Sequence, residues 1–226
     1  MTPPIIVFDL DGTLIDTAPD LLDSLNHCLA AGGLAMAEAD ELRGFVGFGA
    51  KVMIEKAYAA QNRHLAEAEH DRLYALFVEH YEAGMPGRSL PYPGVIEALD
   101  RFDAAGFTLA VCTNKFEAMA VRLLTTLGIA HRFAAITGQD TFAFRKPDPR
   151  HLTETIARAG GDPDNAVMVG DSRTDIDTAK AAGIPVVAVD FGYTDRHVRE
   201  FEPSRIISHF SELTPELANA LITAAR

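Results

Sequence analysis

Two carboxylates separated by one residue, Asp9 and Asp11, follow the apolar run Ile5-Ile6-Val7-Phe8 and precede Gly12 and Thr13. Four consecutive apolar residues suit a strand buried on both faces. Side chains alternate along an extended backbone, so a spacing of two aims Asp9 and Asp11 the same way. Gly12 frees the chain to turn sharply and to expose its N–H groups. Two acids converging at the end of a buried strand repel each other, so either a cation sits between them or one is held protonated. The arrangement reads as a catalytic site.

The elements that must position it alternate along the chain. From Gly94 onward, helical stretches marked by Val95, Leu99 and Phe102, by Val121 and Leu124, by Leu152 and Ile156, and by Ile176 and Ala179 alternate with apolar strands. The strands are expected at Phe107–Thr113, Phe133–Thr137, Ala166–Val169 and Pro185–Val189, and Leu217 and Leu221 mark a last helix. Strand–helix alternation gives a parallel sheet covered on both faces, so the fold class is α/β, a Rossmann-like core. The first strand has no such partner until after residue 90. Residues 17–87 carry three amphipathic helical patterns and are expected to form an all-helical insert. The core is then residues 1–16 and 88–226, and the Pro- and Gly-rich stretch at 86–94 reads as a linker. Asp16 or Thr17 is expected to cap the insert's first helix, with Pro19 in its first turn.

In open parallel sheets, ligands bind outside the carboxyl ends of the strands. Those ends carry Asp9-Leu10-Asp11-Gly12-Thr13, Thr113-Asn114-Lys115, Arg145-Lys146-Pro147-Asp148, and Gly170-Asp171-Ser172-Arg173-Thr174-Asp175. Composition narrows what they can serve. A net charge of −12 over 226 residues disfavours nucleic acid, whose binding depends on Lys and Arg. It also requires any anion site to be locally positive within an acidic whole. No apolar run approaches the ~20 residues of a membrane span, and no basic stretch precedes an apolar one at the N-terminus, so a cytoplasmic location is expected. Cys28 and Cys112 lie far apart, and the eight His lack ligand spacing, so neither a disulfide framework nor a zinc site is indicated.

The four polar strand ends occur in the order and context of the motifs of the haloacid dehalogenase superfamily, most of whose members are phosphohydrolases. The chain resembles that family over its whole length, including the insertion point of a helical cap. The resemblance implies that Asp9 is the nucleophile, giving an aspartyl-phosphate, and that Asp11 is the general acid and base. It implies Mg²⁺ held by the Asp9 carboxylate, the Asp11 backbone carbonyl and the Asp171 carboxylate, with Asp175 in support. It assigns phosphoryl oxygens to the Thr113 hydroxyl and the Asn114 N–H, with Lys146 neutralising their charge. The partner implied is a small phosphorylated metabolite.

Within the superfamily, Val46 to Ala50, Val111 to Lys115 and Val186 to Thr194 are similar to segments of the bacterial phosphoglycolate phosphatase branch. In the insert, the glycines of Arg43 to Lys51 precede a helix N-terminus, which favours anions, and Arg43 or Lys51 is a candidate for a substrate carboxylate. A helix–helix turn with solvated cations is the competing reading. A sugar phosphomutase is a rival activity; such proteins usually carry Val at the position of Thr13. A non-catalytic phosphometabolite binder is the rival from another class, and it would be expected to have lost Asp9, Asp11, Lys146 or Asp171. All four are present.

Overall fold

The computed structural model describes residues 2–38, 49–194 and 196–225. Strand β1 (Ile5–Phe8) lies inside a six-stranded sheet in which every neighbouring pair is parallel. All four of its residues are fully buried, which stabilises it by about 2 kcal/mol per side chain. Ile6 and Phe8 pack with Leu99, Phe102, Leu123 and Ile222 on one face, and Ile5 and Val7 with Leu152, Ile156 and Ile176 on the other. The helices behind these contacts are α4 (Val95–Ala104), α5 (Glu117–Thr126) and α8 (Pro215–Ala225) on the first face. On the second are α6 (Pro149–Arg158) and α7 (Arg173–Ala181).

The sheet order is β5-β4-β1-β6-β7-β8, with β4 (Thr108–Cys112), β5 (Ala135–Thr137), β6 (Ala166–Gly170) and β7 (Val186–Val189). The chain leaves β1 for β4 and β5, then returns to add β6 on β1's other side. Phe8 therefore lies in register with Val111 and Val169, and the carboxyl ends of β1, β4 and β6 open into one crevice. The expected strands are all found, shifted by one or two residues at their ends. The edge strand β8 (Arg205–Ile207) was not expected, because three residues are too few to show alternation.

Between residues 17 and 87 the described elements are all helices: α1 (Ala18–Ala31), α2 (Ala50–Ala60) and α3 (Glu67–Gly84). They share a hydrophobic cluster of their own through Leu25, Leu29, Met53, Ile54, Leu73 and Phe77. Met119 of α5 and Tyr193 enter that cluster from the sheet side. No helix among the described residues is long and apolar enough to cross a membrane.

The connections flanking these helices are more ordered than a linker. Ile15–Asp16 (β2) and Leu90–Pro91 (β3) pair as a short antiparallel ribbon, invisible to periodicity because each side has two residues. Asp16 caps nothing. Thr17 is the N-cap of α1 and makes no side-chain cap bond, whereas Asp16 accepts the Tyr193 hydroxyl from 177 residues away. A tertiary partner has won over local capping. One turn on, the Asp20 carboxylate accepts the Arg88 N–H at 2.8 Å, the Ser89 N–H at 2.8 Å and the Ser89 hydroxyl. Asp20 thus ties the outgoing helix to the returning chain. Replacing Asp20 with Ala strands three donors and is expected to cost about 2 kcal/mol of unfolding free energy, read from the denaturant midpoint.

Candidate active site

Asp9 is the first residue beyond β1, and its N–H donates to the Val169 carbonyl of β6 at 2.9 Å. The ladder thus fixes its backbone up to the site. Its carboxylate lies 2.9 Å from the Lys146 ammonium, which also donates to Asp175 Oδ1 at 2.6 Å. Lys146 is buried in the loop between β5 and α6. Burial opposes its charge, but the Asp175 and Asp9 carboxylates override that and hold the ammonium above the ordinary lysine range. His151 stands behind this loop, where its Nδ1 accepts the Lys146 N–H at 3.1 Å. Burial, and then the charge of Lys146, push the imidazole down to about 4, so it is neutral at pH 7.

Asp171 and Asp175 come from the turn that joins β6 to α7. Asp175 closes a capping box with Ser172: its Oδ2 accepts the Ser172 N–H at 3.0 Å, the Ser172 hydroxyl at 2.7 Å and the Asp171 N–H at 3.2 Å. Asp171 accepts the Thr13 hydroxyl at 2.9 Å on one oxygen and the Tyr193 N–H at 2.6 Å on the other. Two glycines permit this crowding. A Cβ on Gly192 would lie 2.2 Å from Asp171 Cβ, and one on Gly12, whose φ is +82°, 2.5 Å from Asp171 Oδ2.

One oxygen from each of Asp9, Asp171 and Asp175 lies within 4.8 Å of the others. The Lys146 ammonium pairs with two of these three carboxylates, Asp9 and Asp175. Burial raises the Asp9 carboxyl to about 6 against the pull of Lys146, and it raises Asp171 well above the ordinary range with Asp175 and Asp9 adding to the effect. Hard oxygen donors with uncompensated negative charge fit a divalent cation of the Mg²⁺ class. Asp175 receives the Lys146 ammonium as well as neutral donors, whereas the two donors on Asp171 are a hydroxyl and an amide, so the negative charge left for a cation sits mainly on Asp9 and Asp171.

The Asp11 carboxylate lies outside that trio. It accepts the Lys115 ammonium at 3.0 and 3.2 Å on its two oxygens. Lys115 is buried, and its ammonium sits 4.5 Å over the Tyr81 ring of α3. Burial works against its charge, yet Asp11 and then Tyr81 hold it above the ordinary value. Thr113 follows β4, with its hydroxyl accepting the Lys115 N–H at 3.1 Å. Asn114 donates through Nδ2 to the Lys146 carbonyl at 3.0 Å, which holds the two loops together. Neither residue caps α5, whose first N–H donates to Asp140 instead. A cavity of about 330 Å³ joins these groups, with Asp9, Asp11, Thr113, Asn114, Lys146 and Asp171 on its floor. Gly49, Ala50, Met53, Phe77 and Tyr81 of the helical segment form its roof.

Residues 6–189 match the model of the haloacid dehalogenase-like hydrolases. The chain belongs to that family. A phosphoglycolate phosphatase of Mesorhizobium japonicum is 70% identical over 100% of this chain and 99% of its own length. One of Agrobacterium fabrum is 54% identical, covering 97% and 94%. Among solved structures, a predicted phosphoglycolate phosphatase of Haemophilus somnus superposes with a TM-score of 0.87 at 31% identity, covering 94% of this chain and 97% of that one. A CbbY variant of Rhodobacter sphaeroides in complex with xylulose-1,5-bisphosphate does so with 0.79 at 26%, covering 97% and 99%.

The crevice of this hydrolase thus gathers all the residues picked out from strand ends: Asp9, Asp11, Thr113, Asn114, Lys146, Asp171 and Asp175. Sequence reasoning gave no role to Thr13, Lys115 or Tyr193. A lysine between Asn114 and Phe116, straight after a buried strand, was the available signal, since a buried ammonium must find an acid. Cys112 is a packing residue whose thiol burial pushes up to about 11. Lys51 does not line the cavity; it is exposed, pairs with Asp71 at 3.1 Å and lies over the Tyr74 ring. Arg43 and the adjoining Val46 to Phe48 lie outside the described residues.

The Asp9 carboxyl has a pH signature. Its folded value of about 6 exceeds its ordinary 3.8, so the folded chain binds the extra proton and is favoured below about pH 4. That contribution is lost as pH rises through 6. In chelator, the stability of the protein relative to its Asp9→Asn variant is expected to fall by roughly 2–3 kcal/mol between pH 4 and 7.5. A saturating divalent cation should remove most of that fall. Denaturant unfolding at the two pH values measures it.

Proposed function

We propose that this hydrolase is a phosphatase acting on a small phosphate monoester, 2-phosphoglycolate, which it converts to glycolate and inorganic phosphate. The observation that carries the reading is the division of labour at the end of β1. Asp9 faces the buried Lys146 ammonium and the carboxylates of Asp171 and Asp175, while Asp11, on the same floor, is held apart by Lys115. One carboxylate is placed beside the cation that a phosphoryl group would meet, and the other is held by a separate cation, from which it would be freed for proton transfer. The phosphoglycolate phosphatases at 70% and 54% identity support the substrate. A cavity of about 330 Å³ is at the small end of ligand sites and suits a short ester.

In this mechanism an Asp9 oxygen attacks phosphorus and the ester P–O bond breaks. The departing alkoxide takes a proton from Asp11. Water then attacks the phosphorylated Asp9, Asp11 accepts its proton, and phosphate leaves with the carboxylate restored. Lys146, the Thr113 hydroxyl and the Asn114 N–H hold the phosphoryl oxygens throughout. The Asp9 and Asp171 carboxylates, with the Asp11 backbone carbonyl, would hold Mg²⁺, which supplies charge neutralisation and orientation of the phosphoryl group. Asp175 fixes Lys146 and the 171–172 turn. Residues 17–87 act as a cap on a core of residues 1–16 and 88–226, excluding water and reading the leaving group.

The test is phosphate release from 2-phosphoglycolate against a panel of sugar and nucleoside phosphates. The highest kcat/KM is expected for 2-phosphoglycolate, lost on chelation and restored by Mg²⁺. Interconversion of sugar phosphates without phosphate release would establish a mutase instead. Asp9→Asn is expected to lower kcat by at least about 10⁴-fold while the far-ultraviolet spectrum stays unchanged, since it removes the covalent route.

A further inference from the structure

We infer that Lys115 is the specificity residue of this site, and that it binds the carboxylate of the leaving group by exchanging its contact with Asp11 for the substrate. The inference rests on the substrate class proposed above and deepens it. A doubly anionic ester needs two centres of positive charge, one for each end. Among the described residues, the cations lining the cavity are Lys115, Arg145 and Lys146. Lys146 is committed to Asp9 and Asp175 on the phosphoryl side. Arg145 is exposed at the mouth and donates to Gln139. Lys115 is buried, and its backbone is locked by the bond to Thr113 and by the Gln139 N–H, which donates to its carbonyl at 2.9 Å.

The position is right for a short leaving group. In the free enzyme Lys115 holds both oxygens of the Asp11 carboxylate at 3.0 and 3.2 Å; once released, Asp11 takes up a proton from water and gives it to the ester oxygen as the P–O bond breaks. In 2-phosphoglycolate the carboxylate is two carbons from that oxygen, roughly 3–4 Å away by ordinary bond lengths. It therefore arrives where the Lys115 ammonium already sits. The Tyr81 face, 4.5 Å from that ammonium, steadies it from the cap side while its carboxylate partner changes. The first turn of α2 opens at Gly49 and Ala50 into the same cavity and adds N–H groups of the right polarity. Exchange keeps the buried ammonium paired at every stage and releases Asp11 to face the ester oxygen. An ester with a neutral leaving group cannot displace Asp11 in this way, so Lys115 selects against it.

The experiment compares 2-phosphoglycolate with 2-hydroxyethyl phosphate, which has the same length and no carboxylate. In the wild type, kcat/KM is expected to favour 2-phosphoglycolate. Lys115→Met, which keeps the methylene stem and removes the charge, is expected to shrink that ratio about 10- to 100-fold, the worth of one charge-assisted hydrogen bond. Lys115→Arg is expected to restore most of it. In an Asp9→Asn background, calorimetry should show the same loss in Kd for 2-phosphoglycolate, without turnover. If Lys115→Met does not fold, Lys115→Gln serves the same comparison. A wild type with no preference overturns the proposed substrate. A preference that survives Lys115→Met or Lys115→Gln overturns this inference alone.

Discussion

Three carboxylates crowd together in the interior of this hydrolase beside one ammonium that pairs with only two of them, and that imbalance organises the site. Two like charges ~4 Å apart in surroundings of effective dielectric ~20 repel by about 4 kcal/mol, against a whole-domain stability of roughly 5–15 kcal/mol. Such a cluster survives only where the backbone cannot relax away from it. The sheet provides that restraint: β1 and β6 are buried along their whole length, and the acids stand one to five residues beyond their ends. Asp175 is the tamed member of the group, with hydroxyl, amide and ammonium donors on its two oxygens. Asp9 and Asp171 keep their repulsion, which makes the crevice hungry for positive charge.

A second ion pair, Asp11 with Lys115, stands beside the first and differs in kind. It bridges the floor to the roof, because the ammonium that grips Asp11 also lies against Tyr81 of α3. The Asp11 carboxylate, the cavity and the helical segment are thereby in contact through one lysine. In the function proposed above, the fixed cluster would handle what every phosphate ester has in common, and the Asp11–Lys115 pair what distinguishes one ester from another.

The parts of the site legible in sequence were those fixed by short-range pattern. An apolar run ending in Asp9-Leu10-Asp11 announces a buried strand with acids at its mouth, and Thr113 and Asp171 repeat the theme at β4 and β6. The parts that stayed hidden depend on partners far along the chain. Lys115 meets Asp11 across 104 residues, and Thr13 meets Asp171 across 158. Asp16 shows the same limit from the other side: its position before Pro19 has every local mark of a cap, yet the Tyr193 hydroxyl claims it. The β2–β3 ribbon and β8 escaped notice because two or three residues carry no period.

The glycines packed against Asp171 bear on how variation in this chain should be interpreted. Position 192 has no room for even a methyl group beside that acid, and position 12 combines the same crowding with a left-handed backbone. An alanine at either place would push the carboxylate aside without touching a reactive atom. Inactivating variants will therefore collect at residues that have no functional group at all, and a catalogue of essential positions compiled from chemistry alone will be incomplete.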